Sequence, residues 1–180
     1  MRVITGSAKG VRLKTPQGLE TRPTADRVKE ALFSVIQFDL PGSRVLDLFA
    51  GTGQLGIEAL SRGAGSAVFV DSRKDATALI KENLKKTKLE DKAKIVLADY
   101  DAFLLQNREK FDFIFLDPPY TGGFLDKALQ KISEIDILSD SGIIICESPV
   151  EKQLFLDLSG FSRKEYRYGK TRITIFRPEA

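Results

Sequence analysis

The chain has 180 residues, 42% hydrophobic and 29% charged, which suits one soluble domain with its own core. It holds no His and a single Cys, Cys146, so Ser-His and Cys-His nucleophile pairs, His-based metal sites, Cys-cluster zinc and internal disulfides are excluded. The net charge of +3 is unevenly laid out: residues 1–30 carry seven Lys/Arg against three Asp/Glu, residues 161–180 six against two, and residues 31–160 are left at −5. Two basic ends around an acidic centre fit a polyanion-binding surface beside a pocket for a cation.

In chain order, RVIT and VRLKT around a Gly-Ser-containing turn predict an N-terminal β-hairpin, and PQGLETRP reads as loop. TADRVKEALFSVI predicts a helix, with Thr24 as N-cap, Asp26 at the positive end of the dipole, and Val28, Leu32, Val35 and Ile36 at helical spacing. After PGS, strands and helices alternate. RVLDLFA, SAVFVDS, AKIVLAD, FDFIFLD and SGIIICES read as strands. GQLGIEALSRG, RKDATALIKENLKKTKL, YDAFLLQN and GFLDKALQKISEI read as the helices between them. A short helix (EKQLFLDL) and an antiparallel hairpin (FSRKEYRYG, KTRITIFRP) follow. This alternation predicts an α/β fold whose mostly parallel sheet is covered on both faces. Cys146, inside the apolar run GIIICES, reads as a small core side chain. No stretch approaches the roughly 20 apolar residues of a membrane span, and the first residues lack a secretory pattern, so a cytoplasmic protein is expected.

Residues 51–56, GTGQLG, form a G-x-G-x-x-G between a strand and a helix, with Asp71 at the end of the next strand. That is a nucleotide-binding context. Charge selects the nucleotide. Asp47, four residues before Gly51, would repel a pyrophosphate but attract the sulfonium and ammonium of S-adenosylmethionine. Asp99 can accept from an adenine amine, or it can cap the helix that follows it. Gly51, Gly53, Asp71, Ser72, Asp99 and Tyr100 complete the expected donor site, with no metal.

FDFIFLDPPY ends a buried strand with an acid and two prolines. Pro118 and Pro119 lack N–H donors and hold the chain extended. The Asp117 carboxylate and the Pro118 carbonyl thus stand as paired acceptors for an NH₂ group, and the Tyr120 ring as a platform for an extruded base. Such a site can methylate an exocyclic amine by orientation and fixed electrostatics, without a strong base.

LDLFAGTG with a downstream DPPY resembles the Rossmann-like amino-methyltransferases. RVITGSAKGVRLKTP followed by TRPTADRVKEALFSVI resembles, more narrowly, the bacterial small-subunit ribosomal RNA guanine-N2 methyltransferases. The likeness covers essentially the whole chain. It implies a Rossmann-like methyltransferase fold: a seven-stranded, mostly parallel sheet with an antiparallel last strand, plus an N-terminal hairpin and helix. It implies one methyltransferase domain over 1–180, with 1–25 a basic appendage and 26–180 the core. It also implies S-adenosylmethionine as donor and one guanine of the small-subunit RNA as target, in naked RNA or an assembling subunit. Asp47, Gly51 and Gly53 match the family's donor loop, Asp71 its ribose acid, Asp99 its adenine contact, and Asp117, Pro118, Pro119 and Tyr120 its catalytic loop. Arg2, Lys9, Arg12, Lys14, Arg22 and Arg27 at one end, and Arg163, Lys164, Arg167, Lys170 and Arg172 at the other, are expected to meet RNA phosphates, with Thr24 or Arg27 reaching the donor carboxylate. A monomer is expected. Alternatives are an adenine-N6 methyltransferase, a protein-amide methyltransferase (which would carry Asn in place of Asp117), a non-catalytic RNA-binding module and, least favoured by Asp47, a nicotinamide enzyme.

Overall fold

The computed structural model describes residues 1–17, 23–154 and 157–179. Five helices and seven strands follow in the order α1 (Pro23–Ile36), β1 (Arg44–Asp47), α2 (Gln54–Ser61), β2 (Ser66–Asp71), α3 (Lys74–Thr87), β3 (Ala93–Leu97), α4 (Tyr100–Gln106), β4 (Phe111–Leu116), α5 (Phe124–Glu134), β5 (Leu138–Pro149), β6 (Phe161–Tyr168) and β7 (Thr171–Pro178). The sheet order is β3-β2-β1-β4-β5-β7-β6, with β7 antiparallel to both of its neighbours and the other six strands parallel to one another.

Strand alternation sorts the core into two layers. Val45, Phe69, Phe113, Phe115, Ile143 and Ile145 face α1, α2 and α3. Leu46, Val70, Ile114, Leu116, Ile144 and Cys146 face α4 and α5. β4, paired with β1 and β5, is covered on both faces, which is why FDFIFL is nearly all apolar. Cys146 is fully buried, as the sequence implied. Of the α1 positions named from spacing, Val28, Leu32 and Ile36 are buried and Val35 is partly so; Phe33 is the fourth fully buried side chain.

Gly56 sets how closely α2 approaches the sheet. A Cβ there would stand 2.3 Å from the buried Phe69 ring, so only glycine lets the helix lie this close. Gly53 opens α2 in the left-handed region, at φ 80.

The N-terminal reversal is held by one antiparallel bridge, Arg2–Arg12, flanked by bonds from Val3 N to Val11 O and from Leu13 N to Met1 O. It is stitched into the core. Val3, Ala8 and Leu13 join the layer containing α1–α3. The fully buried Glu58 carboxylate of α2 accepts the Ile4 and Thr5 N–H groups at 2.9 and 3.0 Å and pairs with Arg62 and Lys29. Lys29, 3% exposed, also donates to the Arg2 carbonyl, and burial lowers its pKa. Asn83 of α3 accepts Lys14 N–H and donates to the carbonyls of Lys14 and Thr52.

Two expectations need correction. α1 begins at Pro23, so Thr24 lies inside the helix rather than capping it; proline suits a first helical position, where no N–H is needed. No helix forms over the described part of 151–158. The Arg172 guanidinium donates to the Val150 and Lys152 carbonyls, which a helix would need as acceptors.

Glu58→Ala should cost roughly 3–5 kcal/mol, because it strands the buried Lys29 ammonium and two backbone donors. Lys14→Ala, which removes only the exposed pair with Glu82, should leave the urea midpoint unchanged. Equilibrium urea unfolding of both variants checks the contrast.

Candidate active site at the carboxyl edge of the sheet

β1, β2 and β4 end at a cavity of about 820 Å³ lined by residues of four connecting segments: Leu48, Phe49 and Gly51; Asp71, Ser72 and Arg73; Ala98, Asp99 and Tyr100; and Asp117 to Tyr120 with Phe124. The crevice lies over the junction of β1 and β4, where chain direction across the sheet reverses, which is where open α/β sheets bind ligands.

Of the expected donor residues, Gly51, Asp71, Ser72, Asp99 and Tyr100 line this cavity. Asp71 accepts Gly51 N–H and Arg73 N–H, each at 2.9 Å, so it ties the glycine loop to the start of α3. Asp99 takes both roles considered for it: one oxygen caps α4 by accepting Asp101 N–H, and the residue stands in the cavity wall. Tyr100 belongs to an aromatic group with Phe49 and Phe124, whose ring centroids lie 5.2 to 6.4 Å apart. These rings form a wall suited to a flat heterocycle.

Asp47 is placed differently from the expectation. It is buried, does not line the cavity, and accepts Gly56 N–H at 3.0 Å. α2 starts at a glycine with no side-chain cap, so its third N–H is an orphan donor, and Asp47 supplies the missing acceptor from the preceding strand. The helix dipole favours the same arrangement. Its negative charge reaches the cavity only through space.

In the DPPY loop, Pro118 is buried, Asp117 is intermediate, and Pro119 and Tyr120 are exposed. Burial raises the Asp117 pKa well above the ordinary carboxylate value, and the charges of Glu147 and Asp47 add to it. Partial burial of its hydroxyl also raises the Tyr120 pKa, although the residue as a whole is exposed, and the Glu147 charge adds to the rise. Glu147 was missed from sequence, although an acid after the apolar run IIIC repeats the signal that marks Asp117 after FIFL. Phe49 adjoins the glycine loop and was within reach of the same reasoning. Phe124, opening a helix after Gly122-Gly123, carries no such signal.

The basic residues divide. Lys164, Arg167 and Lys170 are exposed, and the β6–β7 turn that carries Lys170 lies at the catalytic edge beside Pro149 and Val150. Arg172 is withdrawn from any phosphate: it is 7% exposed and bonded to two carbonyls. Arg163 is likewise engaged with the Leu154 carbonyl, Asp157 and Glu165. Arg2, Lys9, Arg12, Lys14 and Arg27 are exposed, or partnered only at the surface. Lys9 sits by the Gly6 turn at the far end of α2, away from the cavity. Arg22 and the Thr24 side chain lie outside the described residues.

The strand order, the reversed last strand and a cavity at this edge define a Rossmann-like methyltransferase fold. A family model described as conserved hypothetical protein 95 matches residues 1–177, and the chain belongs to that family. YlbH of Bacillus subtilis strain 168, a candidate rRNA methyltransferase, is 42% identical over 98% of each chain. Ribosomal RNA small subunit methyltransferase D of Escherichia coli K12 is 34% identical over 86% of this chain and 77% of its own length. Among solved structures, the methyltransferase candidate yhhF of Escherichia coli has a TM-score of 0.89 at 32% identity, covering 100% of this chain and 98% of that one. No helix among the described residues is long and apolar enough to cross a membrane.

Burial pushes the Asp47 pKa up to about 7 from 3.8, against the Gly56 bond that lowers it, with Asp71 adding to the rise. Between those values the folded state keeps a proton that the unfolded chain has lost, so stability falls as pH rises through that window. Asp47→Asn cannot ionise and can still accept Gly56 N–H. The variant should therefore gain on the wild type by roughly 2–4 kcal/mol between pH 4 and pH 8, read by urea unfolding at each pH.

Proposed function

We propose that the protein is an S-adenosylmethionine-dependent methyltransferase acting on the exocyclic N2 amine of a guanine in small-subunit ribosomal RNA. The observation that carries this reading is the position of Asp117-Pro118-Pro119-Tyr120: the loop forms one wall of the aromatic, acid-lined cavity and presents its exposed end outward. The names of the relatives, an RNA small-subunit methyltransferase among them, support the substrate class.

The cavity suits a cationic nucleoside. Asp71 and Asp99 bring acceptors for ribose hydroxyls and an adenine amine, and Phe49, Tyr100 and Phe124 supply flat apolar contact. Asp47, Asp117 and Glu147 carry pKa values raised by burial, and a positive ligand would offset that cost. Bound there, S-adenosylmethionine supplies a methyl group made electrophilic by its sulfonium.

The chain's own residues act on the amine. Its nitrogen lone pair is conjugated into the ring and is a weak nucleophile. The Asp117 carboxylate and the Pro118 carbonyl take its two hydrogens and hold the nitrogen so that the lone pair points at the donor side. Asp117, with its raised pKa, can keep the proton that the amine gives up. Tyr120 stacks on the extruded base. Lys170 and Arg167 at the same edge, and the exposed basic groups Arg2, Arg12, Lys14 and Arg27, bind RNA phosphates.

Product analysis tests the whole reading. Purified protein and labelled donor are incubated with unmodified small subunits and with their naked RNA, and the labelled nucleoside is identified by mass spectrometry. N2-methylguanosine at one site is expected; N6-methyladenosine would keep the mechanism and overturn the substrate.

Asp117→Ala should lower methyl transfer by about 10²-fold or more while donor affinity, read by calorimetry, changes little. Equal loss of both would assign Asp117 to the donor site. Because Asp117 accepts only when ionised, kcat/KM should rise with pH through a midpoint above the ordinary carboxylate range, and rate profiles between pH 5 and pH 9 check this.

A further inference from the structure

Glu147 lies near the carboxyl end of β5, one strand beyond Asp117. Phe115 pairs with Ile145 and Leu116 with Cys146, and that register continued one step past the end of β4 sets Asp117 beside Glu147, whose charge acts on it. Neighbouring strands lie about 4.8 Å apart, which puts the two acids side by side. Both follow by two residues a side chain of the α1–α3 layer, Phe115 and Ile145, and so fall on one face. The donor cavity lies on the β1 and β2 side of Asp117, and Glu147, on the other side, does not line it. Its own neighbour across β7 is Ile173, an apolar residue that offers no cation to balance it. Like charges in adjacent, half-buried positions are unfavourable unless donors arrive to meet them. The Tyr120 hydroxyl, near enough for the Glu147 charge to raise its pKa, is one such donor, and a carboxylate with two oxygens has room for a second.

The edge of guanine has two adjacent donor groups, the ring N1–H and the N2 amine. Adenine instead sets a lone pair at N1 beside its N6 amine. A carboxylate placed next to the amine-binding acceptors attracts the first pattern and repels the second. We propose that Glu147 determines specificity for guanine, accepting the ring N1–H while Asp117 and the Pro118 carbonyl hold the N2 amine. This rests on the guanine-N2 reading above and assigns a residue to the choice of base.

2-Aminopurine separates the two. It keeps the N2 amine but has a lone pair at N1. The base that the wild type methylates is mapped first, then replaced with 2-aminopurine in a ligated RNA assembled as the preferred substrate. The wild type should lose at least about 10²-fold in kcat/KM on this base. Glu147→Gln, whose amide can donate to the lone pair, should lose at least tenfold on guanine and narrow the gap between the bases by at least tenfold. The missing O6 affects both enzymes alike and cancels in that comparison. Glu147→Asp, which keeps the charge at shorter reach, should slow guanine methylation and still disfavour 2-aminopurine. Tyr120→Phe should slow both bases equally.

An unchanged ratio in Glu147→Gln overturns the proposal. So does a Tyr120→Phe variant that shifts the ratio as Glu147→Gln does, since Glu147 would then act only by positioning the ring. A wild type that makes no N2-methylguanosine overturns the parent reading instead. Donor affinity and thermal midpoints of each variant establish that the comparison is made on folded protein.

Discussion

Four neighbouring parallel strands, β2, β1, β4 and β5, carry Asp71, Asp47, Asp117 and Glu147 at or beside their carboxyl ends, and the repulsion among these acids is the constraint around which this edge is built. Each is met by a different device. Asp71 is held by two backbone N–H groups. Asp47 is turned inward to cap α2 through Gly56. Glu147 stands near the Tyr120 hydroxyl, whose pKa it raises. Asp117, held beside two prolines that offer no N–H, has the least local compensation and a strongly raised pKa. The edge is thus electrostatically unfinished and suited to a cation on one side and N–H donors on the other.

That division explains the loop chemistry. The cavity on the β1 and β2 side has aromatic walls and acids at its rim, while on the β5 side Glu147 stands next to Asp117 and outside the cavity. Asp117 sits between them because β4 sits between β1 and β5. A residue that must touch both halves of a transfer reaction gains this position from sheet order alone.

Much of this was legible in the sequence because it follows from period and punctuation. The alternation of apolar strands with amphipathic helices set the order of elements from β1 to β5 and the closing hairpin, and the acids at strand ends pointed to the edge where the cavity lies. What was hidden depends on long-range pairing. Arg172 looked like a free surface cation, yet two carbonyls twenty residues upstream claim it. The same bonds prevent the helix that the pattern over 151–158 suggested. Asp47 gave no sign that an uncapped helix nine residues later would draw it away from the cavity. Lys29, Glu58 and Asn83 are polar helix residues that carry no sequence signal of burial, and they are interior where the N-terminal segment folds over them.

The segment that buries those residues has a consequence for the order of events in synthesis. Its anchors lie far along the chain: Glu58 is 54 residues beyond Ile4, and Asn83 is 69 beyond Lys14. At translation rates of about 5–20 residues per second, residue 14 precedes its partner by roughly 3–14 s. During that interval Val3, Ala8 and Leu13 have no core to enter. Docking of the first-made residues therefore waits for α2 and α3, and the same contacts tie Thr52 of the glycine loop, through Asn83, to Lys14. The residue that receives the first-made strip is thus also the one that braces the glycine loop beside the cavity.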